Sequence, residues 1–447
     1  MADAQRPIPP AVQRLVLLGF FGIYGGFLAL PRVQATPGLF WAIAGTWLGF
    51  AVWLGALALG ARRRGQTLGM QFMPRKPHLV QIVMHSSVFA YWGWYWENVY
   101  AQVPLIIAQV FFAYLVDVGL SWKRYGNFRM SFGHWNIVGS TNLFLWFKDD
   151  WFALQLGMIA LAYLAREYVK WEREGKSVHI FNPSAIGLTV AALGLIVTQQ
   201  VHHTWGPEIS VTLGYGPFAF EQMFLAGVVV QLFFAVGLVT ASAAVSAVLL
   251  GLLWYAITGT WLFVDTAIPI AVFLGMTLLV TDPVSSPYTD GGKIAFGVLY
   301  SVGVMGLYIL LRGMERPALG EDPGLTVAFF DKVLQVPLMN LMVRWIDRVF
   351  GGIPVRAWTE RLVRLVRPAD RPRPTGPAAI YAGGGLSHRV AHVVLWTGAF
   401  VAIRPQLIEH PGADPAFWQT RCDNGADATA CENWRRVLVG ACDAGTG

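Results

Sequence analysis

Residues 273–287 read FLGMTLLVTDPVSSP, and this stretch decides the fold. An apolar helix runs straight into Thr281-Asp282-Pro283, and a second apolar helix restarts after Gly291-Gly292-Lys293. Thr, Asp, Pro and Ser at the end of a membrane-length run break the helix. The freed backbone groups and side-chain oxygens must then face protein or water rather than lipid. Membrane transporters and redox proteins use such breaks to hold ions or cofactors. A second break lies upstream at 179–187, reading HIFNPSAIG.

Composition narrows the class. Hydrophobic residues make up 55% of the 447 residues and charged residues 13%, against about a quarter charged in a soluble domain. The chain therefore reads as an all-α polytopic membrane protein with small soluble parts. Its 19 Trp suit helices anchored at two interfaces. The net charge of +7 does not point to nucleic acid, because the basic residues concentrate in loops between apolar runs. The N-terminal region has no small-residue cleavage site, and its first apolar run is followed at once by another. No cleavable signal peptide is expected.

Spans are expected at 12–33, 38–61, 79–96, 101–121, 131–147, 151–169, 181–199, 222–239, 241–258, 263–281, 293–312, 324–345 and 388–404. Most are near the roughly 20 residues that cross a hydrocarbon core. The pair at 222–258 nearly fuses around Thr240-Ala241-Ser242, and the 324–345 span carries Asp331 and Lys332. Arg62-Arg63-Arg64, Arg75-Lys76, Lys123-Arg124, Arg129, Lys170 and Arg173 follow every second span, and Arg344 to Arg373 is the most basic segment. The positive-inside rule makes these loops cytoplasmic. The N-terminus is then cytoplasmic, and thirteen spans deliver the C-terminus outside, in a bacterial inner membrane. Within 346–378, apolar residues interleave with arginines, which suits either an interfacial helix on an anionic leaflet or an ordinary basic loop.

FNPSAIGL (181–188) and TDPVSSPYTDGGKIAFG (281–297) resemble the paired signatures of the membrane subunits of the sodium-pumping NADH:quinone reductase and the Rnf complex, the NqrB/RnfD family. Thr204 to Ile209, DTAIPIAVFLGM (265–276) and FFDKVLQVPLMNL (329–341) are more similar to UnbU-type proteins, named from enediyne biosynthesis clusters. The likeness covers roughly 76–348. It implies a ten-helix core of two inverted five-helix repeats with broken helices. The expected organisation is two extra N-terminal helices (1–75), the core (76–348), a basic linker (349–386), an additional helix (387–405) and an extracytoplasmic tail (406–447).

The redox members carry a Ser-Gly-Ala-Thr motif whose Thr is joined to FMN. The corresponding loop, Gln199 to Gln222, holds Thr204 and Thr212 but no such motif. Covalent FMN is therefore not expected. The resemblance leaves room for a non-covalent flavin of the riboflavin type.

Candidate residues for cofactor binding or an ion pathway are Asn182, Ser184, Thr281, Asp282 and Ser285. Asp282 ends a broken helix, where it could ligate a cation, bond a flavin, relay protons, or simply cap the loop with Thr281 and Ser285. Asn182 precedes a proline and pins the other break; segments 181–184 and 281–287 are expected to approach each other across the pseudo-two-fold axis and line one internal cavity. Asp117 reads as a pathway acid or as a partner of Lys123 or Arg124, and Asp265 as a helix cap. His388 and His392 are four apart and share a helix face, whereas a transmembrane haem needs histidines on facing helices. His202-His203 are adjacent and point apart, which disfavours a metal site. The aromatic run Tyr91 to Trp96 reads as a membrane-interface belt or a stacking platform.

No nucleophile–base motif, P-loop or dinucleotide fingerprint is present. At most the chain is a non-catalytic or flavin-carrying subunit of an oxidoreductase. Its expected role is to support electron transfer or redox-linked ion translocation beside other membrane or periplasmic subunits, in contact with membrane lipids. A solute or ion transporter, and a membrane anchor for an external module, stay open. All three cysteines fall in the tail. There CDNGADATACENW resembles the Cys-containing turn of Sel-like helical repeats, which implies a Cys422–Cys431 disulfide and a tail that docks on a partner, with Cys442 left over.

Overall fold

The computed structural model describes residues 6–263, 266–319, 324–353, 355 and 386–408, which are mostly helical. Helix α1 (Pro10–Gly26) leads through a short turn and the helix Pro31–Ala35 into α2 (Pro37–Arg63). Each opens on a proline, where the missing N–H would have had no helical partner. Then come α3 (Lys76–Tyr95), α4 (Asn98–Tyr125), α5 (Gly133–Asn142), α6 (Phe152–Tyr168) and α7 (Pro183–Thr198). After a loop follow α8 (Ala219–Phe233), α9 (Gly237–Thr258) and α10 (Ile270–Leu274), which continues as a π-turn over Gly275–Leu279. The last are α11 (Asp290–Arg312), α12 (Val336–Phe350) and α13 (Leu386–Ile408).

Among the described residues, six helices are long and apolar enough to cross a membrane: Pro10–Ala29, Pro37–Arg63, Asn98–Tyr125, Gly237–Thr258, Asp290–Arg312 and His388–Ile408. They turn apolar side chains outward, as Val52 at 74% exposure on α2 illustrates. Helix α4 is the most enclosed of the six and buries Gln102, Gln109 and Asp117 with its apolar face.

Strands occur between helices. Strand β2 (Gly69–Phe72) pairs antiparallel with β1 (Arg6–Pro7) and parallel with β3 (Asn127–Met130). Strands β4 (Lys170–Arg173) and β5 (Lys176–His179) form a hairpin. Its two turn residues, Glu174 and Gly175, have φ of 52° and 72°, the positive pair that a type I′ turn requires.

Several expected spans change length. The 131–147 span is helical only over the ten residues of α5, and 263–281 only over 270–279. The α5 helix ends because polar side chains satisfy the backbone that follows. Trp146 Nε1 donates to the Asn142 carbonyl at 2.6 Å, and Gln155 Oε1 accepts from the Phe147 N–H at 3.0 Å. The soft boundary near Thr240 falls instead at 234–236. The 324–345 span is split into a turn at Ala328–Phe330, a short helix Asp331–Leu334, and α12. The restart after the main break comes at Asp290, ahead of the expected glycines, because Thr289 caps it by accepting from the Gly292 N–H at 3.1 Å. Asp265, most of the basic linker and all three cysteines lie outside the described residues.

Candidate functional site: a cavity at the paired helix breaks

The upstream break is built by Asn182. Pro183 keeps Asn182 out of the helical region, at φ −56° and ψ 121°. Its Oδ1 accepts from the N–H groups of Ser184 (2.9 Å) and Ala185 (3.2 Å), an N-cap on α7. The Ser184 hydroxyl donates to the Ile137 carbonyl of α5 at 3.1 Å.

The downstream break follows the π-turn, in which the Val280 N–H reaches back to the Gly275 carbonyl at 3.0 Å. Thr281 Oγ1 donates to the Thr277 carbonyl at 2.7 Å. Asp282 Oδ2 accepts from the Ser285 hydroxyl (2.6 Å) and N–H (3.2 Å), which folds the chain into an Asx-type turn. His179 Nε2, from β5, lies 3.3 Å from the same oxygen. Burial alone would raise the Asp282 carboxyl. The His179 hydrogen bond and charge and the Ser285 hydroxyl outweigh it and hold the group below the usual carboxylate range.

The two breaks touch. Asn182 Nδ2 donates to the Leu279 carbonyl at 2.8 Å. Asn340 of α12 clamps both, since its Oδ1 accepts from the Asn182 N–H (3.0 Å) and its Nδ2 donates to the Ser285 carbonyl (2.9 Å). A larger bracket lies behind them. Arg173, 7% exposed, donates to the carbonyls of Val284 (3.2 Å) and Ser286 (2.9 Å) and to Asp347 Oδ2 (2.7 Å), and its guanidinium covers the Tyr288 ring. Asp347 in turn accepts from the Thr289 N–H (2.9 Å) and hydroxyl (2.7 Å). This closeness explains Gly291 and Gly292. A Cβ at 291 would lie 2.2 Å from the Phe350 carbonyl, and one at 292 would lie 2.7 Å from Asp347 Oδ1.

In front of the breaks is a cavity of about 460 Å³, within the range of small-molecule sites. Asn182, Ser184, Thr281 and Asp282 line it, while Ser285 is buried behind Asp282. Met84, Ile137, Val230, Phe234 and Leu278 supply apolar wall, and Gln81, His85, Asn136 and Ser140 supply polar wall. Arg75, Arg129, Arg166 and Lys170 contribute four cations against the two carboxylates of Glu167 and Asp282. Lys170 contacts Glu167 at 3.2 Å. The N-terminal end of α5, at Gly133, also faces the cavity and adds the positive end of a helix dipole. Two buried wall atoms, His85 Nδ1 and Asn136 Oδ1, have no hydrogen-bond partner among the described residues. The arrangement can hold a molecule with an apolar body, a hydrogen-bonding edge and a negative end.

Asp117 does not pair with Lys123 or Arg124. It accepts from Arg166 (2.8 and 2.9 Å) and lies 2.9 Å from His134 Nε2, so it fixes Arg166 at the cavity wall. Both groups sit across the bundle from Asp117, on α5 and α6, beyond the reach of local spacing. Arg173, Asp347 and Asn340 carry the geometry of the breaks yet were not legible as such. Asn340 falls inside the 329–341 segment, and the turn Glu174-Gly175 between two short polar strands was the one local signal for the hairpin that places Arg173.

In the loop 199–222, Thr204 and Thr212 are buried. The Thr204 hydroxyl donates to the Val201 carbonyl (2.8 Å), and that of Thr212 accepts from Trp92 Nε1 (3.0 Å). Trp92 and Trp96 from the aromatic run pack on Trp146, with Trp96 and Trp146 stacked at 5.5 Å. The rings of His202 and His203 do not point apart: their centroids lie 3.9 Å from each other at a tilt of 49°, and His203 stacks on Trp151 at 4.2 Å. In comparisons with known proteins, no protein family, curated relative or solved structure matches this chain.

Proposed function

We propose that the chain is an RnfD/NqrB-like integral membrane subunit that holds a non-covalent, anionic, flavin-sized cofactor in the break cavity. It would support electron transfer or redox-linked ion translocation within a larger complex. The lining of the cavity carries this reading: an apolar wall, unpartnered polar atoms, and Arg75 and Arg129 beside the paired cations Arg166 and Lys170. Val230, Phe234, Leu278 and Met84 would pack on a ring system. Gln81, His85 and Asn136 would bond its heteroatom edge, and Arg75, Arg129 and Arg166 would face a phosphate. A bound flavin would supply one- and two-electron chemistry. The chain's own part is to orient the ring, neutralise its charge and keep water from its buried face.

Three observations favour the inverted ten-helix core. Helix α5 and the α10–π segment are both ten residues long, and each stands third in its half. The first helices of the two halves, α3 and α8, pack together, and so do the fifth, α7 and α12. Such pairs of equivalent elements are what a two-fold axis produces. Each half carries one break. By the positive-inside rule, the cation-rich end lies in the cytoplasm of a bacterial cell and the tail lies outside.

A carrier for a small organic anion is the second reading. The same cation-rich cavity between discontinuous helices favours it. An absorption spectrum of the purified chain separates the two. Flavin bands with about one equivalent of flavin released on denaturation are expected. A colourless protein that takes up no added flavin, but moves an organic anion in proteoliposomes, would establish the carrier instead.

A further inference from the structure

Outside the cavity, a second cluster joins the last helix to the core. Asp290, the first residue of α11, is 8% exposed, and His388 and His392 lie one turn apart on α13. His388 Nε2 is 3.5 Å from Asp290 Oδ1, and His392 Nε2 is 3.8 Å from the same oxygen. One ligand atom from each of the three residues lies within 4.8 Å of the others. His392 is fully buried, and neither of its ring nitrogens has a hydrogen-bond partner among the described residues, nor does Asp290 Oδ2. Buried polar atoms without partners are uncommon and call for an explanation.

We propose that Asp290, His388 and His392 form a binding site for a divalent transition metal of the zinc class, which fastens α13 to α11. The spacing supports this. Two ligand atoms at zinc bond lengths of roughly 2.0–2.2 Å stand about 3.4 Å apart in a tetrahedron. The Asp290–His distances are near that value and long for hydrogen bonds. The remaining edge, between the two imidazoles, is at most 4.8 Å. Two imidazoles and one carboxylate select a borderline metal rather than calcium or magnesium. Spacing four apart on one helix face aims both rings at the same point. Three protein ligands leave a fourth position for water or another group. Lys293 Nζ lies 3.4 Å from Asp290 Oδ1 and competes with the cation, so its charge sets the affinity. The site ties the helix that follows the basic linker to the core, independently of whatever fills the break cavity.

The test is a cobalt(II) titration of the full-length chain in detergent, after chelator treatment, with Cys422, Cys431 and Cys442 replaced by Ser so that thiolates cannot bind. About one equivalent is expected, with the visible bands of a four- or five-coordinate nitrogen and oxygen site, displaced by zinc. His392→Gln and Asp290→Asn should weaken binding more than about 100-fold, beyond the effect of an outer-sphere partner, with an unchanged gel-filtration profile. Lys293→Met keeps all three ligands and should tighten binding, which keeps the proposal testable if the ligand variants misfold. No cobalt bound by the parent chain, or binding that survives His388→Gln/His392→Gln in a folded protein, or no change in Lys293→Met, would overturn it.

Discussion

Asn182 donates its side-chain amide to the Leu279 carbonyl at 2.8 Å, while its Oδ1 caps the first turn of α7. One side chain thus satisfies backbone groups on both sides of the gap between two broken helices. Leu279 is fully buried, so its carbonyl has no ready alternative in lipid.

Asn182→Ala should therefore cost more than an ordinary cap. A lost N-cap is worth about 1 kcal/mol, and an orphaned buried carbonyl adds about 1–3 kcal/mol. Unfolding in detergent, followed by circular dichroism against denaturant, should show a loss of about 2–4 kcal/mol. A change under about 0.5 kcal/mol, typical of a neutral surface position, would refute the bridging role.

Arg173 should not tolerate lysine. Its fork serves two carbonyls and Asp347 together, which a point charge cannot match. Arg173→Lys should destabilise by about 2 kcal/mol. A double-mutant cycle with Asp347→Asn should return a coupling of about 1–3 kcal/mol. Additive single effects would mean that the bracket is incidental.

The rim cations should discriminate charge rather than ring. Arg129 is exposed at the cavity edge, so Arg129→Gln should weaken FMN binding by about fivefold, the worth of roughly 1 kcal/mol. Riboflavin, without the phosphate, should bind equally well before and after. The FMN affinity should also fall with added salt. Quenching of flavin fluorescence measures all three. Equal losses for both flavins would place the phosphate elsewhere.

No flavin should survive denaturation on the chain. The hydroxyls of Thr204 and Thr212 are both buried and bonded, the first to the Val201 carbonyl of the loop and the second to Trp92 of α3. In-gel fluorescence after SDS should be blank. A fluorescent band that vanishes in Thr204→Ala or Thr212→Ala would contradict the prediction.

The tail prediction is topological. A membrane-impermeant maleimide on intact cells should label Cys422 and Cys431 only after reduction. Labelling that requires lysis but no reduction would remove both the disulfide and the external C-terminus.

Much of the helical layout was legible because its causes are local. Apolar runs of span length, and Asn182-Pro183 and Thr281-Asp282-Pro283 as stops, all act within a turn or two of themselves. The ten-residue length of α5 was not legible. The expected span ran on to 147 because Leu143 to Phe147 are as apolar as a helix. What ends the helix is polar partners at Asn142, Trp146 and Gln155 that a hydropathy pattern does not weigh. The same limit misplaced Asp117, whose neighbours in sequence are Lys123 and Arg124 but whose partners in space are His134 and Arg166.

The sequence by itself pointed to apolar helices with breaks at 179–187 and 281–287, and to Asn182 and Asp282 as the residues that shape them; it showed neither the early end of α5 nor Thr289 as the cap of the restart. Only the tertiary structure decided which side chains join the interruptions, that Arg173 and Asp347 hold them, and that Asp290 faces His388 and His392. Asn182 and Leu279 are 97 residues apart, and Arg173 and Asp347 are 174 apart. Caps and stops are set by backbone geometry within one helical turn. Contacts across such separations exist only after the intervening helices have packed, and no local pattern encodes which distant partner closes the loop.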